Sequence, residues 1–171
     1  MIIDSSAMES CRNQALLPVL RRLKRYEKYC NLLQGGLSSY VRTFERIGAM
    51  PEQLKEFLKI FDGGLLFTTT MLSMRDKEAG KFNRLLTFGE INDPAFKKEN
   101  GIPEEIVIFA MTNYGNYYCY VSGEKEGWVY EWEAGENALL VKWDSFAQWL
   151  DEQIDFAVSL IRDDLLDPVE V

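Results

Sequence analysis

The order of the predicted elements indicates an α+β fold, in which helices come first, an antiparallel sheet follows and a helix ends the chain. Two observations predict it. Residues 106–132 contain three runs rich in β-branched and aromatic residues, separated by turns with Gly and Asn, which is typical of an antiparallel meander. Before and after this stretch, apolar residues recur at spacings of three and four. We therefore expect a twisted, mainly antiparallel sheet flanked by N-terminal helices and a C-terminal helix.

The length of 171 residues suits a single domain with a buried core. Hydrophobic residues make up 47% of the chain and charged residues 27%, as in an ordinary globular protein. We therefore treat residues 1–171 as one domain. Residues 1–14 and 166–171 carry no clear pattern, so we predict loose ends there.

A stripe of apolar residues predicts a first helix from about Leu16 to Leu33, ended by Gly35-Gly36. The stripe consists of Leu16, Val19, Leu20, Leu23, Tyr26, Cys30 and Leu33. Pro18 fits this helix if it lies in the first turn. The opposite face is basic and contains Arg21, Arg22, Lys24, Arg25 and Lys28. This face suits either a membrane surface or water, and we favour a solvated outer face.

Two further helices are predicted before the sheet. The pattern from Ser38 to Gly48 predicts the second helix, with a serine cap at its start. Pro51 opens the third helix, and Asp62-Gly63-Gly64 ends it, with one glycine in the left-handed C-cap conformation. Leu65–Thr70 is then expected to be the first strand.

The segment from Ser73 to Asn92 shows little pattern, although Arg84–Phe88 is compatible with a strand. Pro94–Asn100 is typical of a short helix. The predicted meander strands are Ile106–Met111, Tyr117–Val121 and Trp128–Trp132, and Ala138–Val141 adds a fourth strand.

The final helix begins after Asp144 or Ser145, either of which can cap it. Its apolar stripe consists of Phe146, Trp149, Leu150, Ile154, Ala157, Val158 and Ile161. This clean stripe predicts that one side of the helix packs on the sheet.

The sequence contains no histidine, which removes the commonest general base and the usual Ser and Cys triads. It has no glycine-rich phosphate loop and no GxSxG motif. Glu131 and Glu133 share one face of a strand, but acidic residues are common there, so catalysis is disfavoured. Cys119 has no basic neighbour in sequence and fits a small core residue. We expect no enzyme activity, no cofactor and no metal site.

The net charge of −8 disfavours binding to nucleic acid or to an anionic membrane. It suits a basic protein partner, or solubility alone. The first residues do not resemble a signal peptide, and no run approaches the ~20 apolar residues of a membrane helix. Three widely spaced cysteines without a CxxC pair indicate a reducing compartment. We therefore expect a cytoplasmic protein.

Aromatic and acidic residues lie together in and around the meander. Tyrosine and tryptophan commonly anchor protein interfaces, and neighbouring carboxylates suit a basic partner. We predict that a protein partner contacts Tyr114, Tyr117, Trp128, Glu131 and Glu133, on an open face of the sheet. The alternative is that many of these rings belong to the core.

Five segments resemble, in order, the SUKH superfamily of Smi/Knr-like immunity proteins. They are FERIG (Phe44–Gly48), MPEQLKEFLKIFDGG (Met50–Gly64), FAMTNYGNYYCY (Phe109–Tyr120), VYEWE (Val129–Glu133) and SFAQWL (Ser145–Leu150). The resemblance spans about residues 38–150. Asn116 and Glu133 stand where the family commonly has Asp, which weakens the case for a shared charged site.

The resemblance implies an α+β fold with a twisted sheet flanked by helices. It also implies a non-catalytic protein that binds and neutralises a bacterial toxin domain, often a nuclease. The family includes a fungal cell-wall regulator, so an intracellular interaction or regulatory module without a toxin partner is the alternative.

Overall fold

The computed structural model describes residues 8–35, 50–73, 87–124 and 127–169. Within these residues, seven strands form one sheet in which each strand pairs antiparallel with the next along the chain. The strands are β1 (Cys30–Gln34), β2 (Phe61–Leu66), β3 (Thr69–Met71), β4 (Ile106–Met111), β5 (Tyr117–Val121), β6 (Val129–Glu133) and β7 (Ala138–Trp143). The helices are α1 (Leu16–Lys24), α2 (Glu52–Ile60), α3 (Phe88–Ile91), α4 (Pro94–Glu99) and α5 (Phe146–Arg162). The predicted α+β class is confirmed.

The first helix is shorter than predicted. It ends at Lys24, and a 3-10 helix at Glu27–Tyr29 leads directly into β1. Cys30 and Leu32 are buried on alternate positions, and β1 pairs with β2 through Cys30↔Leu66 and Leu32↔Gly64. The apolar spacing of this segment fits a helix as well as a strand, and pairing with a distant strand decides between them.

Arg22 departs from the predicted solvated face of α1. Its Nη1 lies 2.6 Å from Oδ1 of Asp151, and its Nη2 contacts Oδ1 of Asp155. Both carboxylates belong to α5, so the two helices are joined by one guanidinium. Leu16, Leu20 and Leu23 on the other side of α1 are buried, as the stripe predicts.

Residues just before α1 are attached to the core rather than loose. Met8 and Cys11 are buried, and the Arg12 backbone N–H donates to Oε2 of Glu56 at 3.1 Å. At the other end, the Val169 N–H donates to the Lys28 carbonyl at 2.8 Å. The described parts of both predicted loose ends are therefore held by hydrogen bonds or burial. The predicted second helix, Ser38 to Gly48, lies outside the described residues.

The third predicted helix is α2, and it ends one residue before β2 begins at Phe61. Asp62, Gly63 and Gly64 lie inside β2, so the prediction that they end the helix is wrong. Both glycines have positive φ, 76° at Gly63 and 106° at Gly64. A Cβ at Gly64 would collide with the Asn31 carbonyl oxygen of β1. These glycines are needed for close approach between strands.

The predicted strand Leu65–Thr70 is a hairpin. β2 ends at Leu66, the chain turns at Phe67 with φ 55°, and β3 begins at Thr69. Thr87 starts α3 with a capping box, since its side chain and the Glu90 side chain each accept from the other's backbone N–H. Phe88 is therefore helical and not the end of a strand, while residues 84–86 lie outside the described residues.

The meander and the last helix are confirmed. β4 and β5 have the predicted bounds, β6 is shifted by one residue, and β7 extends to Trp143. Ser145 caps α5 by accepting from the Gln148 N–H at 3.1 Å. The helix packs on the sheet through a ring cluster in which Trp149 contacts Phe109 and Tyr118, each with centroids 5.1 Å apart.

Both faces of the meander are covered by protein. Tyr118 and Tyr120 face the α5 side and are buried, whereas Cys119 faces the other way and is fully buried as well. None of the helices in the described residues is long and apolar enough to cross a bilayer.

Candidate protein-interaction surface

The structure brings two of the five predicted contact residues together. Tyr114 lies in the turn between β4 and β5, and its hydroxyl donates to Oε1 of Glu131 at 2.9 Å. The other three lie apart from this pair. Tyr117 pairs with Trp132, so it faces away from Glu131; Glu133 lies at the end of β6.

Glu131 is buried, with 9% of its surface exposed. Its Oε1 also accepts from Nδ2 of Asn116 at 2.8 Å, so one oxygen receives two donors. A buried carboxylate requires such donors, because the loss of hydration is costly without them. This geometry places Glu131 beneath Tyr114, where it positions the ring. Direct contact between Glu131 and a partner stays a prediction.

The turn that carries Tyr114 is closed by hydrogen bonds across its base. The Thr112 N–H donates to the Asn116 carbonyl at 2.9 Å, and the Asn116 N–H donates to Oγ1 of Thr112 at 2.8 Å. Gly115 supplies the positive φ of 100° that the turn needs. The ring of Tyr114 is therefore held at both its backbone and its hydroxyl, although 66% of the residue is exposed.

The hydroxyl of Tyr114 keeps its proton at neutral pH. Desolvation and the hydrogen bond to Glu131 both raise the pKa of Tyr114 above its ordinary value. The phenol is thus a donor to the carboxylate, and the ring stays neutral. A neutral ring fixed in one orientation loses little entropy on binding, which favours a contact with another protein.

A small cavity of about 170 Å³ adjoins Tyr114. It lies between the β4–β5 turn, the β2–β3 turn and α5, and its lining consists of Thr68, Thr69, Thr112, Asn113, Tyr114, Tyr118, Gln153 and Phe156. We call these eight residues the Tyr114 surface. Gln153 joins its parts, because its Oε1 accepts from Thr69 at 3.1 Å and its Nε2 donates to Tyr118 at 3.4 Å.

Phe156 is a candidate contact residue that the sequence reasoning missed. It lies on α5 at the rim of the cavity and is 54% exposed. The signal was present, because Phe156 is a large apolar residue that falls outside the buried stripe of α5. Two exposed rings beside a small depression have the composition of an interface hot spot.

Trp128 lines a second and larger cavity of about 610 Å³ near the N-termini of α2 and α5. Glu52 and Glu124 also line it, and no Lys or Arg appears in its lining among the described residues. The ring of Trp128 already bears one cation, since Nζ of Lys142 lies 3.1 Å from its centroid. Both carboxylates already have partners, since Oε2 of Glu52 lies 3.3 Å from Nζ of Lys55 and Oε2 of Glu124 accepts from the Tyr130 hydroxyl at 2.8 Å.

The described residues offer no group of three or more Cys, Asp and Glu side chains that could hold a metal ion. Burial raises the pKa of Cys30 to about 12 and raises the pKa of the Cys119 thiol further above its ordinary value. Both thiols are buried and protonated, which suits packing and not nucleophilic attack.

Comparison with known families decides the classification. The model of the SMI1 / KNR4 family (SUKH-1) matches residues 45–152, which is more than half of the chain. The chain belongs to the SMI1/KNR4 (SUKH-1) family. The match begins before α2 and ends inside α5, so it contains every strand from β2 to β7 and the whole Tyr114 surface except Gln153 and Phe156. No curated protein gives a significant match to the chain.

Membership of the SMI1/KNR4 family supports an immunity or Smi/Knr-type protein. The resemblance predicted from five short segments is confirmed, and the matched residues agree with the predicted span of about 38–150. Gln153 and Phe156 lie just outside the matched region, so part of the Tyr114 surface is contributed by residues that the family model does not cover.

Proposed function

We propose that this protein is a non-catalytic immunity protein that binds a bacterial toxin domain and blocks it, with the Tyr114 surface as the main contact. The observation that supports it most directly is the hydrogen bond between Tyr114 and the buried Glu131, which fixes an exposed aromatic ring next to a second one. A fixed aromatic anchor beside a depression is what a tight protein interface uses. Family membership supplies the functional context.

We infer that the toxin is basic, as a nuclease would be. The net charge of −8 attracts a basic protein over a distance of about a Debye length. The cavity beside Trp128 contains Glu52 and Glu124, and a Lys or Arg of the partner would share these carboxylates with their present partners, Lys55 and the Tyr130 hydroxyl. If this is right, the association rate falls at least about tenfold between low and physiological salt. An association rate that does not change with salt would contradict the electrostatic part of the proposal.

The same charge argues against binding to nucleic acid or anionic membrane, and we place the protein in the cytoplasm, where a toxin made by the same cell would have to be blocked. Free, buried cysteines agree with a reducing compartment. The absence of catalysis is part of this proposal. Reproducible turnover that is lost on changing a single carboxylate would replace it with an enzymatic function.

The experiment is co-expression with the product of the neighbouring gene, scored by cell survival and by recovery of a complex. Tyr114→Ala and Phe156→Ala should each weaken the complex by about 2 kcal/mol, or roughly 30-fold. Leu165→Ala is the matched control, because Leu165 is 71% exposed and lies outside the Tyr114 surface. Rescue and co-purification that both survive Tyr114→Ala would remove this surface from the interface.

The second candidate function is an interaction or regulatory module of the Smi/Knr type without a toxin partner. The match to the SMI1 / KNR4 family does not choose between the two roles, and the geometry of the Tyr114 surface suits any protein partner. Co-expression separates the two. If co-expression gives neither rescue nor a complex, a pull-down from native lysate is the next test. A stable partner there that no longer binds Tyr114→Ala would favour the regulatory module.

A further inference from the structure

The two carboxylate oxygens of Glu131 have unequal surroundings. Oε1 accepts from the Tyr114 hydroxyl at 2.9 Å and from Nδ2 of Asn116 at 2.8 Å. Oε2 receives no donor from the described residues, although it is not fully buried. No Lys or Arg of the described residues forms an ion pair with Glu131. This is unusual, because a carboxylate that is 9% exposed normally has a cation or donors at both oxygens.

Glu56 shows how the other buried glutamate of the described residues is stabilised. It is 8% exposed, its Oε1 accepts from Nζ of Lys59 at 2.6 Å, and its Oε2 accepts from the Arg12 backbone N–H at 3.1 Å. Both oxygens and the charge are therefore compensated within the protein. Glu131 differs in two respects, since it lacks a cation and it lacks a donor at its second oxygen.

The charge of Glu131 acts on a face of the sheet that carries further carboxylates. Tyr118 lies opposite Glu131 in β5, and burial and then the Glu131 charge raise the pKa of Tyr118. Glu133 lies two residues further along β6 and so on the same face. Glu152 reaches this face from α5, where its Oε2 accepts from Nε1 of Trp143 at 2.6 Å. The potential here favours a cation.

Val141 leaves one side of Glu131 open. It pairs directly with Glu131 from β7, so the two side chains are neighbours on one face, and it is 45% exposed. On the other side, Tyr118 is buried beneath α5. Tyr114 reaches Glu131 from the β4–β5 turn and is 66% exposed. A side chain of another protein can therefore approach the carboxylate between Tyr114 and Val141.

We propose that an arginine of the partner protein enters between Tyr114 and Val141 and donates to Oε2 of Glu131. This inference rests on the proposed function, because it assigns the arginine to the basic toxin bound at the Tyr114 surface. A guanidinium suits the position, since it is less strongly hydrated than an ammonium and can lie against a tyrosine ring while its N–H groups donate to a carboxylate. The charge of Glu131 is then paired in the complex.

A titration with N-acetyl-arginine amide, followed by two-dimensional NMR of the full chain, tests the site without a toxin. The backbone amides of Tyr114, Glu131 and Val141 should shift with a dissociation constant of the order of ten millimolar, as expected for one charge-assisted contact. N-acetyl-citrulline amide is the neutral control of the same shape and should bind at least about fivefold more weakly. No shift at these amides up to about 100 mM, or equal binding of citrulline, overturns the proposal. Equal binding of N-acetyl-lysine amide overturns the choice of a guanidinium.

Val141→Arg supplies the guanidinium from the protein itself. Leu139→Arg is the matched control, because Leu139 is similarly exposed at 42% but pairs with Trp132 on the opposite face. The urea midpoint of Val141→Arg should exceed that of Leu139→Arg by at least about 0.3 M. Glu131→Gln, which keeps an acceptor for Tyr114 and removes the charge, should abolish this difference. Equal midpoints, or a difference that persists with Glu131→Gln, overturn the proposal.

The complex with the toxin provides the last test. Val141→Arg should weaken it at least about tenfold, because its own guanidinium occupies the position, whereas Leu139→Arg should leave it unchanged. Equal effects of the two changes overturn the proposal. Rescue by the wild type without binding of the arginine probe would keep the proposed function and overturn the arginine site. Binding of the probe without rescue would support the site and remove the toxin as the source of the arginine.

Discussion

The hydroxyl of Tyr114 donates to a carboxylate that has little contact with water, since Oε1 of Glu131 lies 2.9 Å away and Glu131 is 9% exposed. An exposed ring is thus tied to a buried charge. The consequence is that the orientation of the ring and the stability of the fold depend on the same hydrogen bond. Changes at this position should therefore alter both the affinity for a partner and the free energy of unfolding. Different substitutions of Tyr114 can remove the hydroxyl alone or the whole ring.

Tyr114→Phe keeps the ring and removes one of the two donors to Glu131. Because the carboxylate stays buried and keeps only the Asn116 amide as a donor among the described residues, the free energy of unfolding should fall by about 1–3 kcal/mol. Urea denaturation followed by circular dichroism measures it. Tyr117→Phe is the matched control, since Tyr117 faces the other side of the sheet from Glu131. An unchanged midpoint in Tyr114→Phe would show that the hydrogen bond contributes nothing to stability.

Arg22→Ala removes the ion pairs that join α1 to α5. The guanidinium contacts two carboxylates, Asp151 and Asp155, and all three side chains are partly exposed, so the expected loss is about 1 kcal/mol. The loss should shrink in high salt, because the pairs are open to screening. Arg21→Ala removes the same charge from an exposed position of the same helix and should have little effect. Equal effects of the two changes would mean that net charge, and not the bridge, is responsible.

Glu56 should make stability depend on pH in the acid range. Burial raises its pKa, but hydrogen bonds from Nζ of Lys59 at 2.6 Å and from the Arg12 N–H outweigh this effect, so the pKa of Glu56 is lowered from 4.5. A carboxylate with a lowered folded pKa stabilises the fold above its unfolded pKa. That contribution is lost as the pH falls below about 4.5 and through the folded value.

Glu56→Gln should therefore lose about 1 kcal/mol at pH 7 and show a smaller fall in stability between pH 6 and pH 3 than the wild type. Denaturation midpoints across this range give the measurement. Glu99→Gln, at an exposed residue near the end of α4, should keep the wild-type pH profile. If Glu56→Gln also keeps it, another carboxylate carries the acid sensitivity.

The parts of the fold that follow from local signals were predictable. β4, β5 and α4 begin at the predicted residues, because alternation, turn glycines and Pro94 act over a few residues. β1 was not predictable, because Cys30–Gln34 becomes a strand only through β2, about thirty residues away. Gly63 and Gly64 resemble a helix end in the local sequence, because only pairing with a distant segment shows that they lie inside a strand.

The site was partly predictable. Aromatic and acidic composition pointed to Tyr114 and Glu131, but their hydrogen bond requires the β4–β5 turn to fold back over β6. No local pattern shows that the carboxylate is buried and the ring exposed. Phe156 joins Tyr114 only because α5 crosses this end of the sheet, so a site built from distant segments needs the tertiary structure.

Comparing Gly64→Ala with Gly123→Ala distinguishes the cost of a strained backbone from the cost of a steric clash between β1 and β2. Gly64 has φ 106°, and a Cβ there would meet the Asn31 carbonyl oxygen. Gly123 has φ 89°, and no atom of the described residues lies within 4 Å of an added Cβ. Gly123→Ala should cost about 1–2 kcal/mol through backbone strain alone. Gly64→Ala should cost at least about 2 kcal/mol more, because β1 must move away from β2. Equal losses of unfolding free energy in the two variants would show that β1 gives way freely, and that the close approach of Asn31 to Gly64 adds nothing to the requirement for glycine.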